Sequence, residues 1–211
     1  MSDAIAMPRA GLAGTAVPGR LGAPGAAGVM LGEVVPAAVA SISLRRGGGE
    51  AARAALSEMG LGLPDAGRCL VQGARTVLAA APGRWTVIDE GGADAPAMLA
   101  RALGAQADVT DLTGSRVMLR LWGSRARDSL MKLVPIDLHE RAFTAGCAAT
   151  TAAARVAVQV WQSDAAPVYH LMFERSYVRY MWGAVAAAVV EYGCDVKELA
   201  AAAASRREQQ P

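Results

Sequence analysis

The chain has 211 residues, of which 53% are hydrophobic and 19% are charged. This composition excludes a disordered chain and suits one large domain or two small lobes with packed cores. The 21 basic and 19 acidic residues give a net charge of +2, which provides no overall field to attract nucleic acid or an anionic membrane.

The first 30 residues are rich in Gly, Ala and Pro and show no hydrophobic periodicity. Alone they would bury too little apolar surface to offset the entropy lost on ordering. We therefore expect residues 1–30 to form an extended or disordered arm, or an arm that lies across a partner. At the other end, residues 200–211 are predicted to continue a helix that frays.

The first half of the chain alternates strand and helix patterns. The predicted elements are a strand at 35–44, a helix at 50–58, a hairpin of 69–71 and 76–79, a strand at 84–88 and a helix at 95–103. Gly60 and Gly104 follow the two helices, as expected of residues that end a helix. Residues 31–105 are therefore predicted to form a first α+β lobe.

A second, similar series of strands and helices, predicted to form a second α+β lobe, follows in residues 106–199. Its predicted elements are strands at 107–112, 116–122, 156–161 and 168–173, and helices at 125–133 and 175–190. Ser124 is the predicted N-cap of the first of these helices, and residues 139–154 are predicted to be a loop. The fold class predicted is α+β, with two related lobes of mostly antiparallel sheet and helices on one face.

Few side chains suggest catalysis or metal binding. The chain has two histidines, which lie far apart: His139 has only Asp137 and Glu140 nearby in sequence, and His170 has no acidic partner in its strand pattern, so a metal site is not predicted. We predict a hydrogen-bonded loop residue at His139 and a satisfied, half-buried one at His170. Asp89 and Glu90 precede Gly91 and are predicted to form a solvated turn.

The three cysteines are far apart and form no CxxC pair, so neither a disulfide framework nor a zinc site is predicted. We expect Cys69, Cys147 and Cys194 to be buried free thiols in the cytoplasm. The longest apolar run, at residues 181–190, is too short to span a membrane.

A basic and aromatic cluster lies in the second half of the chain. It contains Arg116, Arg120, Trp122, Arg125 and Arg127. Such a cluster can bind single-stranded nucleic acid, but acidic residues interleave with it and the net charge is small. Arg and Trp are also enriched at protein–protein interfaces, and that interpretation suits the cluster better.

Several segments, in the right order, resemble the gamma subunits of the heterotetrameric bacterial sarcosine oxidases. Residues 108–132 (DVTDLTGSRVMLRLWGSRARDSLMK) resemble their D-V-S/T … V-x-L-R-L-x-G-x-x-A-R-x-x-L-x-K segment. Residues 135–146 (PIDLHERAFTAG) resemble P-x-D-L-H-P-R-A-F-x-x-G, residues 174–182 resemble R-S-F-A-x-S-F-W, and residues 82–88 resemble G-P-D-x-W-L-V. The resemblance covers residues 80–190, and the equivalent subunit of N-methylglutamate dehydrogenase would look much the same.

The resemblance implies a fold like the folate-binding domain of the aminomethyltransferase (T-protein) enzymes. It also implies a cytoplasmic, non-catalytic subunit of a flavoenzyme that oxidatively demethylates sarcosine or a similar N-methyl amino acid, with transfer of the one-carbon unit to tetrahydrofolate. FAD, FMN, NAD and tetrahydrofolate would then be bound by the partners and not by this chain. Those partners would be a large alpha subunit (folate and NAD), a beta subunit (flavin) and a small zinc-binding delta subunit.

The alternative is a free-standing, folate-binding, aminomethyltransferase-like protein. Those enzymes carry a catalytic aspartate in the segment that residues 148–158 resemble, and here that segment contains no acid, so no residue there can act as a general base. We therefore expect no catalysis from this chain alone. Trp122, Arg125 and Tyr180, together with the N-terminal arm, are the predicted interface residues.

Overall fold

The computed structural model describes residues 10–198, and the predicted tail at 200–211 lies outside them. The strands are β1 (Gly19–Leu21), β2 (Val29–Val34), β3 (Ala38–Leu44), β4 (Cys69–Gln72), β5 (Arg75–Ala81), β6 (Arg84–Asp89), β7 (Ala107–Asp111), β8 (Arg116–Trp122), β9 (Ala148–Ala153), β10 (Val156–Asp164), β11 (Val168–Glu174) and β12 (Cys194–Lys197). The helices are α1 (Gly49–Glu58), α2 (Ala95–Leu103), α3 (Ala126–Met131) and α4 (Val178–Val189).

The strands form two sheets. The larger is seven-stranded, in the order β1-β12-β2-β8-β11-β10-β9, and the smaller is five-stranded, in the order β4-β5-β6-β3-β7. All neighbouring strands are antiparallel except β12 and β2, which are parallel. The mostly antiparallel α+β prediction is confirmed.

Each sheet is covered by helices on one face and by the other sheet on the opposite face. Leu119 and Val185 belong to the core between the larger sheet and α4, and Ile42 and Leu99 to the core between the smaller sheet and α2. A third core lies between the sheets and contains Val34, Val39, Cys69, Leu78, Ile88, Met118, Ala148, Trp161 and Met172. The alternation of inward and outward side chains along each strand produces these layers.

The part of the predicted arm that is described, residues 10–30, packs on the chain itself, which corrects the prediction of an extended or disordered arm. Leu12 is buried in the core of the larger sheet, and its backbone N–H donates to the Glu33 carboxylate at 2.8 Å. β1 pairs with β12, and the Arg20 side chain contacts Asp195 at 3.0 Å. Residues 1–9 lie outside the described part.

The change from the smaller to the larger sheet falls between β7 and β8, at residues 112–115, a few residues beyond the predicted boundary at 105. β7, at residues 107–111, belongs to the smaller sheet, while β1 and β2 join the larger sheet with the second half of the chain. The strands of the smaller sheet therefore lie within residues 38–111, and the larger sheet combines strands from residues 19–34 with strands from residues 116–197. β12, the last described strand, lies between β1 and β2 and pairs with both, so the chain returns to its first strands.

Two local predictions are also corrected. β9 lies within the predicted loop at 139–154, because pairing with β10 orders its Ala- and Thr-rich residues. α3 begins at Ala126 and has no side-chain cap, so Ser124 is not its N-cap. The backbone N–H of Arg125 donates instead to the Gly28 carbonyl at 2.9 Å, which ties the start of this helix to the arm.

Candidate functional site

Two of the three predicted interface residues lie at one end of the larger sheet. Trp122 pairs with Val168 at the start of β11 and, with Pro167, lines a shallow cavity of about 280 Å³. Arg125 lies nearby, at the start of α3, and its guanidinium stacks over the Tyr192 ring at 4.6 Å. Trp122 is half-buried and Arg125 is exposed.

Tyr180 lies at the other end. Its hydroxyl donates to the carbonyl of Ala154, in the turn between β9 and β10, at 2.8 Å. That turn is next to the last residues of β11, because Val158 pairs with Phe173. The three predicted residues therefore do not form one surface, and their role at an interface stays a prediction.

Tyr180 has an exposed aromatic neighbour, Tyr177, that was not among the predicted interface residues. Tyr177 precedes it by three residues, at the end of a short 3-10 turn, and the exposed fractions of the two residues are 46% and 55%. We call these two residues the tyrosine pair. The spacing of three residues could have indicated this pair, because residues three apart are neighbours on the surface of a helix.

A second exposed apolar pair lies on β4, the edge strand of the smaller sheet. Leu70 and Val71 there are 38% and 49% exposed. Consecutive residues on a strand point to opposite faces, so the two side chains do not form one apolar surface as the tyrosine pair can.

The basic and aromatic cluster is not a free positive surface, because a carboxylate lies close to each of its arginines. The ion pairs are Arg116 with Glu174 at 3.3 Å, Arg120 with Glu90 at 3.9 Å, Arg125 with Asp128 at 3.0 Å and Arg127 with Glu140 at 3.7 Å. Such pairing lowers the potential that a phosphate backbone would meet.

The two histidines have different surroundings. His139 is an exposed loop residue whose Nδ1 accepts from the backbone N–H of Arg141 at 3.2 Å, as predicted. His170 is more deeply buried than predicted and only half satisfied: it stacks on Trp161 with ring centroids 4.7 Å apart, its Nε2 lies 2.9 Å from the Ser163 hydroxyl, and its buried Nδ1 has no hydrogen-bond partner among the described residues. Burial, with a smaller contribution from Arg120, lowers the pKa of His170 to about 3, so the imidazole is neutral.

All three cysteines are free, as predicted. Burial raises the pKa of the Cys69 and Cys194 thiols to about 11. Cys147 is only partly buried, which corrects the prediction for that residue. Partial burial opposes ionisation of Cys147, but hydrogen bonding to Thr144 and the Arg68 guanidinium, 3.2 Å from its sulfur, together hold its pKa below the usual value.

Asp89 and Glu90 do not form a solvated turn. Asp89 is 3% exposed; its carboxylate accepts from the Arg75 guanidinium at 2.7 Å and from the backbone N–H of Gly91 at 2.8 Å. The partner arginine lies 14 residues away and faces Asp89 only because β5 pairs with β6. Local sequence could not show that contact.

The described residues contain neither a cluster of metal-binding side chains nor a membrane-spanning helix. Within residues 10–198, no group of three His, Cys, Asp or Glu side chains is placed to hold a metal ion. In the same range, no helix is both long and apolar enough to cross a bilayer.

Comparisons with known proteins agree on one family. The model of the sarcosine oxidase, gamma subunit family matches residues 47–191. The sarcosine oxidase subunit gamma of Corynebacterium sp. (strain P-1) is 37% identical over 129 residues, which cover 58% of this chain and 62% of that protein. The subunit gamma from Arthrobacter sp. is 33% identical over 142 residues, or 65% of this chain and 69% of that protein. The matched part thus spans about two thirds of these relatives.

Solved structures give the same result for the fold. A chain of the heterotetrameric sarcosine oxidase from Corynebacterium sp. U-96 superposes with a TM-score of 0.72 and 27% identity, covering 85% of this chain and 91% of that one. The glycine cleavage system aminomethyltransferase T from Bartonella henselae superposes with a TM-score of 0.56 and 14% identity, covering 84% of this chain and 49% of that one, and so shares the fold. With a family model that matches most of its length, this chain belongs to the sarcosine oxidase, gamma subunit family.

Proposed function

We propose that this chain is the non-catalytic gamma subunit of a multisubunit flavoenzyme of the sarcosine oxidase type. The complex oxidatively demethylates sarcosine or a similar N-methyl amino acid and transfers the one-carbon unit to tetrahydrofolate. The observation that carries the proposal is the family match over residues 47–191.

A feature of the β9–β10 hairpin supports the non-catalytic part of the proposal. The hairpin includes the segment that, by resemblance, would hold the aspartate of the aminomethyltransferases. Its turn residues are Ala154 and Arg155, both with positive φ, and residues 148–158 include no acid. A general base is therefore missing from that position.

The partners follow from the proposed assembly. An alpha subunit with folate and NAD sites, a beta subunit with flavin and a small zinc-binding delta subunit would supply the cofactors FAD, FMN, NAD and tetrahydrofolate. The free thiols of the chain support a cytoplasmic location, because cysteines stay reduced there.

We assign the tyrosine pair, rather than the arm, to the contact with a partner. Tyrosines are enriched at the centre of interfaces because they combine a large apolar ring with a polar hydroxyl. Their large exposed fractions leave both rings available, whereas residues 10–30 of the arm are already engaged in the larger sheet.

The test is a native pulldown of the tagged full chain from its own organism, with absorbance at 450 nm and identification of the copurified subunits. Yellow material that contains a flavin subunit and a large folate and NAD subunit is the expected result. A colourless, monomeric chain would contradict the proposal, and folate binding by the isolated chain would then favour the free-standing alternative.

A matched pair of variants tests the assigned surface. Replacing both Tyr177 and Tyr180 by Ser is expected to reduce copurification at least tenfold, since hot-spot aromatics contribute about 2 kcal/mol or more each. The control replaces Leu70 and Val71 by Ser, which removes exposed apolar area elsewhere and should leave copurification unchanged. The reverse pattern would assign the interface to the edge of the smaller sheet.

A further inference from the structure

A cleft of about 340 Å³ lies between the inner faces of the two sheets. Its position follows from side-chain size along the strands. Val39 and Ile88 pair with each other and fill the core between the sheets. Two residues further along, Ser41 pairs with Thr86, and the smaller side chains leave the space open.

The next pair along the same strands, Ser43 and Arg84, also lines the cleft. From the larger sheet, Arg116 and Gln159 face it. The Thr150 hydroxyl donates to the Ala80 carbonyl at 2.8 Å and closes one wall by joining the two sheets. Cavities of about 300–1,000 Å³ with a few convergent polar groups are the usual form of a small-molecule site.

The cleft contains hydrogen-bonding capacity that the chain itself does not use. Within residues 10–198, the structure records no side-chain hydrogen bond from Ser41, Ser43, Thr86 or Gln159. Thr86 is 4% exposed as a residue and lines the cleft. Its hydroxyl is not among the fully buried, unpartnered polar atoms of the described residues, so it is accessible from the cleft.

The charged side chains that line the cleft are Arg84, Arg116 and Glu174, and their net positive charge favours an anion. The structure records no carboxylate within ion-pair distance of the Arg84 guanidinium in the described residues. The Nη1 of Arg116 lies 3.3 Å from the Glu174 carboxylate, and a guanidinium group has further N–H donors. Arginine N–H pairs match the two oxygens of a carboxylate.

The remaining lining favours an organic rather than an inorganic anion. Leu112 and Met172 contribute apolar surface to the cleft, and Met172 also belongs to the core between the sheets. A molecule with a carboxylate at one end and a flat or apolar body would satisfy both parts of the lining. Inorganic phosphate could use the arginines and the hydroxyls, but it would leave the apolar lining at Leu112 and Met172 uncovered.

We propose that this cleft between the sheets is a binding site for a small organic carboxylate, held by Arg84 and Arg116 and by the hydroxyls of Ser41, Ser43 and Thr86. The proposal does not depend on the proposed function, because it rests on the cleft of this chain alone. It adds a ligand site to a chain for which we expected no cofactor of its own.

The probe is 4-hydroxybenzoate, added to the full ¹⁵N-labelled chain and followed by amide chemical shifts. The neutral isostere 4-hydroxybenzamide and inorganic phosphate are tested in parallel. Saturable shifts grouped around Ser41, Thr86 and Gln159 with the carboxylate, and at least tenfold weaker binding of the other two compounds, are the expected result. An absence of saturable shifts, or equal binding of the benzamide or the phosphate, would overturn the proposal.

Three variants test whether the carboxylate binds in the cleft or elsewhere on the surface. Arg84→Gln removes an exposed charge that the fold does not use and should weaken binding about tenfold, while Ser43→Leu should fill the cleft and abolish binding. Arg101→Gln is the matched control, because Arg101 is an exposed arginine on α2, on the far side of the smaller sheet. Binding that Arg84→Gln leaves unchanged, or that Arg101→Gln weakens equally, would refute the site.

Discussion

The stability of this chain should fall in mild acid because of one buried histidine. His170 is 4% exposed, stacks on Trp161, and is held neutral by burial and by Arg120, which together lower its pKa to about 3. In the unfolded chain the same imidazole has a pKa of 6.5. Between these values the unfolded state binds the proton and the folded state does not, so the free energy of unfolding decreases as the pH falls below 6.5.

The magnitude follows from the difference in pKa. Each pH unit below the unfolded-state pKa costs about 1.36 kcal/mol until the folded-state pKa is approached. At pH 5 the loss is therefore about 2 kcal/mol, and at pH 7.5 it is close to zero. Against a typical total of about 5–15 kcal/mol, this loss should be readily measured.

The assay is urea unfolding at pH 7.5 and pH 5, applied to the wild-type chain, His170→Phe and His139→Gln. His170→Phe keeps an aromatic ring for Trp161 and removes the titrating group, so it should lose about 2 kcal/mol less than the wild type between the two pH values. His139→Gln removes the other, exposed histidine and should behave as the wild type. An unchanged pH dependence in His170→Phe would refute the reasoning.

Two further pairs of variants test one contact within the smaller sheet and one close approach beside the larger sheet. Asp89→Ala is expected to lower the free energy of unfolding by about 3 kcal/mol, because Arg75 and two backbone N–H groups lose a buried acceptor. Asp89→Asn keeps an acceptor oxygen and should cost about half as much; equal costs in urea unfolding would show that the charge contributes nothing. Gly123→Ala is expected to cost about 2 kcal/mol or more, since φ there is 111° and a Cβ would lie 2.6 Å from the Gly28 carbonyl oxygen. Gly114→Ala, where a Cβ would meet nothing within 4 Å, should cost less than about 1 kcal/mol in the same urea unfolding assay, and a similar loss for both variants would contradict the close approach.

Elements with a strong local signal were predicted closely. The helix at 95–103 and the strand at 116–122 have the bounds that the sequence predicted. Both depend on local information: apolar residues at helical spacing before a glycine, and aliphatic residues at every second position, Val117, Leu119 and Leu121. The fold class was predicted for the same reason, because it needs only the order of such elements.

Features that depend on distant partners were not predicted. The arm lacks any periodicity, yet it packs because Leu12 enters a core built from the other end of the chain. β9 consists of small residues with weak strand preference and is ordered by β10. The buried Asp89 and the separation of Trp122 from Tyr180 also depend on pairings that local sequence does not specify.

The sequence by itself therefore determined the class of fold, most of the strands and helices, and the family through its ordered motifs. Only the tertiary structure decided which residues share a surface, because contact across two packed sheets joins positions far apart in the chain. The cleft illustrates the difference. Ser41 and Thr86 lie on the smaller sheet and Arg116 on the larger one, and they line one space only because the two sheets pack face to face.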